Sequence, residues 1–451
     1  MAFKPEPCGE PATLYQRPAE LLQKLIRFDT TNPPGNEAAC VGYIDEVLTA
    51  AEFETQVLGC DEARPNLVTR LAGRGEAPPL LMYGHVDVVT AENQQWTHPP
   101  FEGVIEDGFV WGRGALDMKG EVAIMLAALM RAKAEGLEPP GDVILAVASD
   151  EEAGGMYGAR YLVEKHADLF EGVRYAIGEV GGFTFHVGER KLYPIMVAEK
   201  QMCWMKATLR GRGGHGSMPL RGQAMGKLAD LLKRLDRNRM PVHVTPVARQ
   251  MIEDMASVVP PAQGLVLRQL LNHRLNGIVL NLLGSMGEVL SPLLHNTVSP
   301  TILHASTQIN VIPSEVSVEL DGRLLPGYGP NDMVAELRQL AGDEVELEVL
   351  RYEAGPPEPD MGLFATLTDI LREQDPEGKP SPMLVAGVTD GRHFARLGIQ
   401  TYGFTPMKIP RDMDFWKLFH GADERIPIEA LKFGCEATFK LLQRFGEANG
   451  A

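Results

Sequence analysis

Apolar residues recur at helical spacing in PAELLQKLIRF, and Pro18 suits a first helical turn, where its missing N–H has no partner to lose. The Pro- and Gly-rich DTTNPPGNE predicts a loop, and a second helix is expected through Val41 to Leu48. NLVTRL and PLLMYGHVDVV change the period; the second is a continuous apolar run, as in strands buried on both faces. From Gly120 to Gly136 the pattern predicts an amphipathic helix closed by glycine. DVILAVASDEE predicts another buried strand, GARYLVEKHADLF a helix and YAIGEV a further strand. Such alternation implies an α/β layer with a mostly parallel sheet.

Near Lys200 the pattern changes. QMCWMKATLR alternates as an antiparallel strand does, and the Gly-rich GRGGHGSMP follows it. QAMGKLADLLKRLD predicts a helix, INVIPSEVSVELDGRLLPG a strand pair, NDMVAELRQLAG a helix and VELEVLRYEA a strand. Strand–helix–strand–strand–helix–strand is a ferredoxin-like plan. An apolar stretch from about Ala248 to Pro300 interrupts it. After PPEPD, Pro356 to Asp360, the α/β character returns and runs to a last helix from Glu429 to Gly446. The expected organisation is an α/β domain formed by residues 1–200 and 356–451, with a smaller α+β domain, 201–355, inserted into it.

A chain of 451 residues exceeds what one core usually organises, in keeping with that division. Its formal net charge of −17 argues against nucleic acid or an anionic membrane as partner, while a local pair of arginines or a metal could still receive an acidic substrate. Cys8, Cys40, Cys60, Cys203 and Cys435 are scattered with no CxxC, which suits a reducing compartment. The start, MAFKPEPCGEPATLYQRP, has no basic region followed by an apolar core, and GIVLNLLGSMGEVL is too short and interrupted to span a bilayer. A cytoplasmic protein is expected.

Three short blocks carry the chemistry. His85 follows the apolar strand PLLMYG, at the end of a strand where open α/β sheets place ligands, and Asp87 lies two residues on. The pair reads either as a metal-binding imidazole with an orienting carboxylate or as a structural His–Asp hydrogen bond. Asp117 lies between WGRGAL and a helix, where a carboxylate is either a ligand or a cap. Asp150, Glu151 and Glu152 follow the buried strand VILAVAS. Adjacent carboxylates repel one another there, and a cation is their natural counter-charge. One glutamate can then bind metal while its neighbour takes a proton from water.

Together these blocks resemble metallopeptidase family 20, the group of aminoacylases, acetylornithine and succinyl-diaminopimelate deacylases, carboxypeptidase S and the glutamate carboxypeptidases. GHVDVV, WGRGALDMKG, SDEEAGG, GRGGHGSMP, NVIPSEV, GVTDGRHF and FHGADERIP stand in family order from residue 84 to residue 427. The resemblance implies an α/β fold: a two-zinc, aminopeptidase-like catalytic domain with an inserted ferredoxin-like lid that also serves dimerisation. It implies that His85 and Glu179 hold one metal, Glu152 and His420 the other, and that Asp117 bridges both. Glu151 is then the general base, Asp87 the orienting carboxylate, and His215 in the lid a donor to the developing oxyanion, in its own or a partner subunit's site. Asn310, Arg323 and Arg392 resemble the family's polar substrate contacts; a surface ion pair is the alternative for Arg392.

The implied activity is di-zinc hydrolysis of the amide bond of an N-acyl amino acid or short peptide, with two Zn2+ per chain and Co2+ or Mn2+ as substitutes. A homodimer formed through the lid is the expected assembly, with no nucleic-acid or membrane partner. Rival readings are a carboxypeptidase or dipeptidase proper, ureido hydrolysis, and a catalytically silent binding protein on the same fold. The apolar stretch around Leu265 to Leu290 reads as core or dimer packing ahead of a wall for a hydrophobic acyl group. His98, His166, His186 and His304 lack motif support and read as structural.

Overall fold

The computed structural model describes residues 11–446. The first ten residues, Cys8 among them, and with them part of the segment expected to lack a leader, lie outside this range. The chain divides into two compact units. The first comprises residues up to Val197, Asp360–Met383 and the chain from Thr389 onward; the second comprises Ala198–Pro359 and Leu384–Val388. No helix among the described residues is long and apolar enough to cross a membrane.

The first unit is organised by a nine-stranded sheet. Its order is Thr55–Leu58, Asn66–Leu71, Val143–Ala148, Leu80–His85, Tyr175–Gly178, Gln400–Gly403, Arg190–Glu199 and Gly378–Val385, with Phe185–Val187 paired to Arg190–Glu199. The four central strands, from Val143–Ala148 to Gln400–Gly403, run parallel to one another. The flanking pairs Thr55–Leu58 with Asn66–Leu71, and Asn66–Leu71 with Val143–Ala148, are antiparallel, so the mostly parallel sheet expected from the alternation is in fact mixed. The short Thr55–Leu58 and Asn66–Leu71 strands are joined without a helix, which leaves an antiparallel hairpin as the natural connection.

Burial explains the central strands. Leu80–His85 and Val143–Ala148 are buried at every position, and helices cover the sheet. Lys119–Ala134 departs from its expected amphipathic pattern, since its residues from Lys119 to Met130 are all buried. The sheet lies against it on one side, and Pro18–Ile26 and Ile428–Arg444 pack on it from others, leaving no solvated face to set a period.

The second unit carries a four-stranded antiparallel sheet in the order Thr297–His304, Glu315–Leu324, Gln201–Arg210, Glu346–Tyr352. Helices Ala224–Arg237 and Pro330–Ala341 cover it, and the chain order strand, helix, strand, strand, helix, strand is the ferredoxin-like plan. The apolar stretch forms helices Pro246–Val258, Pro261–Arg268, Asn276–Leu282 and Ser285–Leu290. Leu267, Leu270, Val279 and Leu280 are buried there, whereas Leu265, Ile278, Leu282 and Val289 are exposed, so core packing accounts for only part of it.

Candidate metal centre

The parallel strands at the middle of the sheet bring three blocks to one edge. His85 is the last residue of Leu80–His85 and lies opposite Ala148, the last residue of Val143–Ala148. Ser149 to Glu152 follow directly, and on the other side Glu179 follows Tyr175–Gly178. Parallel pairing puts all three C-terminal ends at the same edge, where the next residues leave the sheet together. Asp117 arrives from the loop before Lys119–Ala134, and His420 from the loop between Phe415–Leu418 and Arg425–Pro427.

Two donor groups result, His85 with Asp117 and Glu179, and Asp117 with Glu152 and His420; within each, the candidate ligand atoms all lie within 4.8 Å of one another. Asp117 belongs to both. Its Oδ1 is 3.4 Å from His85 Nε2, and its Oδ2 is 3.0 Å from His420 Nε2, although the two last residues are 303 positions apart. Glu179 Oε2 is 3.8 Å from His85 Nε2, and Glu152 Oε1 is 3.4 Å from His420 Nε2.

His85 Nδ1 donates to the Asp87 backbone carbonyl at 3.0 Å, with the Asp87 carboxylate at 3.3 Å. That hydrogen bond leaves Nε2 as the atom turned to the cluster. The Asp87 carboxylate is chiefly engaged elsewhere: it accepts the amides of Glu151 and Glu152 at 3.0 and 3.1 Å and the Asn32 amide at 2.9 Å. Asp87 therefore ties the imidazole strand to the loop that carries both glutamates.

The loop bearing His420 has its own fastenings. Gln94 Nε2 donates to the His420 carbonyl at 2.8 Å, and Arg113 Nη2 reaches the same oxygen at 3.2 Å. Asp423 accepts from the Thr97 amide at 2.6 Å and from its hydroxyl at 2.8 Å. Arg113 forms a fully buried pair with Glu424 at 2.7 Å, and Glu424 in turn accepts the amides of Gly114, Leu116 and Asp117. Sequence reasoning passed over Asn32, Arg113 and Glu424; the last two stand inside the WGRGAL and GADE blocks, so only the pairing of those blocks in space brings out their part.

Charge is concentrated here. Burial presses the His85 imidazole toward neutrality, but the facing carboxylates of Asp117, Asp87 and Glu179 outweigh it and hold its pKa well above the ordinary value. His420 is raised to about 10, first by its hydrogen bond to Asp117 and then by Glu152. Burial opposes ionisation of Asp117, yet the two histidines lower its pKa. Glu151 shows the reverse: burial, reinforced by Glu179, lifts its pKa well above the usual carboxylate range. Asp390 of the TDGRHF block is pushed up to about 7, mainly by burial.

Arg392 lies in the first unit, with Nη1 at 2.9 Å from the Thr389 carbonyl and 3.9 Å from Glu151. His215, Asn310 and Arg323 belong to the second unit. His215 pairs with Val311, and the Gly216 amide donates to the Asn310 carbonyl at 2.7 Å, so His215 and Asn310 are neighbours. His215 Nδ1 lies 2.7 Å from Ser217 Oγ and 3.3 Å from the Ser217 amide, so Ser217 engages one side of the ring. Arg323 directs its fork at Asp321, with distances of 2.8 and 3.1 Å. His98, His166, His186 and His304 have ordinary partners in Glu106, Tyr161, the Ile409 carbonyl and Glu319.

Comparison with known proteins accords with this geometry. Residues 81–444 match the profile of peptidase family M20/M25/M40. A probable carboxypeptidase S-like 2 of Dictyostelium discoideum is 29% identical over 82% of this chain and 72% of its own. The N-fatty-acyl-amino acid synthase/hydrolase PM20D1 of Xenopus tropicalis is 28% identical over 81% and 72%, and human aminoacylase-1 is 26% identical over 94% and 93%. Among solved structures, the metallo-carboxypeptidase Sso-CP2 of Sulfolobus solfataricus superposes with a TM-score of 0.69 at 17% identity, covering 95% of this chain and 99% of that one. The Bacillus subtilis YXEP protein, described as a dinuclear metal binding peptidase, superposes at 0.57 with 14% identity over 95% and 97%. With the profile spanning most of its length, this chain belongs to peptidase family M20/M25/M40 and is a hydrolase of that family.

Proposed function

We propose that the centre holds two divalent metal ions, zinc with cobalt or manganese as substitutes, and hydrolyses the amide bond of an N-acyl amino acid or short peptide. The observation that carries this reading is the division of Asp117, one carboxylate oxygen toward each histidine. The donor set fits such ions. His85 Nε2 and Glu152 Oε1 are buried without a hydrogen-bond partner, and both face other candidate donor atoms. Orphaned buried polar atoms are costly unless something satisfies them, and imidazole with carboxylate is a donor set suited to zinc.

When bound, the ions supply Lewis-acid chemistry, acidifying water and polarising the scissile carbonyl. Glu151 carries the proton. Lying outside both donor groups and next to Glu152 in the chain, it is the carboxylate left to take a proton from the attacking water and hand it to the leaving nitrogen. His215, its Nδ1 held by Ser217, is the imidazole that would donate from Nε2 to a developing oxyanion. Arg392, beside Glu151, is the stronger candidate to anchor a substrate carboxylate; Arg323 already holds Asp321 at one end of its strand, and Asn310 lies toward the other end, so each would meet substrate separately. The substrate class is supported by relatives named for aminoacylase, N-fatty-acyl-amino acid hydrolase and carboxypeptidase activities.

The deciding experiment screens N-acyl amino acids and dipeptides with zinc, cobalt and manganese while counting metals per chain. Glu151→Gln is expected to keep the metals and lose about a thousandfold in kcat. An unchanged kcat would remove Glu151 from the base role. Hydrolysis of dipeptides alone would favour a dipeptidase or carboxypeptidase proper, and loaded metal with no hydrolysis a binding protein. A homodimer through the second unit is part of the same reading, supported by the exposed Ile302 and Leu303 on its outer strand, and light scattering tests it. Four free cysteines among the described residues support a reducing, cytoplasmic setting.

A further inference from the structure

Behind the metal-facing edge runs a buried polar chain that meets the candidate ligands' side chains only where Asp87 lies 3.3 Å from His85 Nδ1. It begins at Glu37, whose carboxylate meets Arg64 at 3.0 Å from Nη2 and 3.3 Å from Nε. The same Nη2 reaches Asp150 Oδ1 at 2.8 Å. Asn32 then joins two carboxylates, donating to Asp150 Oδ1 at 3.1 Å and Asp87 Oδ2 at 2.9 Å. Asp150 Oδ2 accepts the Tyr157 amide at 3.0 Å, and the Tyr157 ring lies 4.7 Å from the guanidinium. Glu37, Arg64, Asn32, Asp87 and Asp150 are all buried.

The backbone gives the chain its purpose. Asp150 adopts φ +70°, in the left-handed region that is uncommon for non-glycine residues but open to Asp, whose carboxylate can hydrogen-bond nearby. This turn directs the next two amides, those of Glu151 and Glu152, onto Asp87. The opposite wall is equally closed: a Cβ at Gly35, itself at φ +83°, would lie 2.3 Å from Arg64 Nε. The Gly35 loop therefore packs closely against the guanidinium. Buried ion pairs contribute little net stability compared with apolar packing, so the feature this arrangement supplies is geometry.

We infer that Arg64 and Asn32 are positioning residues for the hydrolysis: they lock the left-handed turn at Asp150, so that Glu151 and Glu152 are presented together. This rests on the proposed function for its catalytic half, while the locked turn stands apart from it. Removing the lock leaves the side chains of the centre in place chemically but loosens their aim, which lowers kcat more than it raises KM.

The test uses the full-length protein, metal-free and zinc-loaded, with Arg64→Gln, Arg64→Lys and Asn32→Ala. Amide hydrogen exchange of the segment around Glu151 and Glu152 reads the lock, and kcat and KM on the best substrate of the screen read its consequence. The expected result for Arg64→Gln is exchange about tenfold faster in that segment, kcat down about thirtyfold, and KM within about threefold, with two metals retained. Arg64→Lys recovers only part, because one ammonium cannot take over the fork that spans Glu37 and Asp150. If Arg64→Gln does not fold, Asn32→Ala, which removes the donor between the two carboxylates, carries the same expectations. Unchanged exchange overturns the lock, and faster exchange with unchanged kcat overturns its catalytic consequence. A wild-type enzyme inactive on every amide defeats the proposed function instead, and exchange still decides the lock.

Discussion

His85 and His420 face the same carboxylate from opposite surroundings. His85 ends a central strand and its side chain is 1% exposed; His420 sits in a loop at φ +56°, with its side chain 53% exposed. The first half of the centre is made of strand ends whose register is set by the buried sheet. The second is hung from a loop by Gln94, Arg113 and the Asp423–Thr97 contacts. Asp117 is the hinge between them. The contrast teaches that a shared carboxylate lets one half be preorganised by the core while the other remains open to solvent and exchange.

The largest expected effect breaks both halves at once. Asp117→Ala should empty the centre, with metal content near zero by elemental analysis and hydrolysis at background. Next come the histidines, whose variants should part company in stability. His85→Ala leaves buried carboxylates without their cation and should lower the unfolding free energy of the metal-free chain by about 3 kcal/mol in urea titration. His420→Ala, being more than half exposed and solvent-screened, should cost less than about 1 kcal/mol while still abolishing one metal. Equal losses would mean that the two halves are not built differently.

Smaller effects sharpen the same contrast. A chelator should strip the metals in two phases, the His420 half first, and Gln94→Ala should weaken that half by about tenfold without touching the other. Titration of metal at graded chelator concentrations reads both. The mildest effect is on pH. In the metal-free chain His420 is raised from 6.5 to about 10, so the stability it contributes is complete below pH 6.5 and lost as pH rises through 10. The difference in urea midpoint between the wild type and His420→Gln should therefore shrink across that window. Metal binding to this half should release a proton at neutral pH, measurable as a dependence of binding heat on the buffer.

Much of the catalytic unit was legible because strands buried on both faces announce themselves as apolar runs, and the polar residues just beyond them stand out. His85, Glu151 and Glu152 stand out in this way, while Glu179 and His420 entered as implied by the resemblance. The buried helix Lys119–Ala134 was misread as amphipathic, since a helix covered on every side has no polar face to reveal its packing. The sheet was read as mostly parallel because the hairpin of Thr55–Leu58 and Asn66–Leu71 resembles any other pair of short strands in one dimension. Asn32 and Arg64 left no legible signal: one lies in a loop and the other in a turn, and their partners are far along the chain.

By itself the sequence determined the kinds of donor available, their places at the ends of apolar runs, and the ordered blocks that mark the family. These are local properties, carried by residue type and short spacing. Tertiary structure alone decided that Asp117 turns one oxygen to each histidine, that Asp87 spends its carboxylate on the Glu151 and Glu152 amides, and that Arg323 is held by Asp321. Those outcomes depend on strand order, register and loop closure between residues hundreds of positions apart, where ångström distances choose among partners that composition makes equally available.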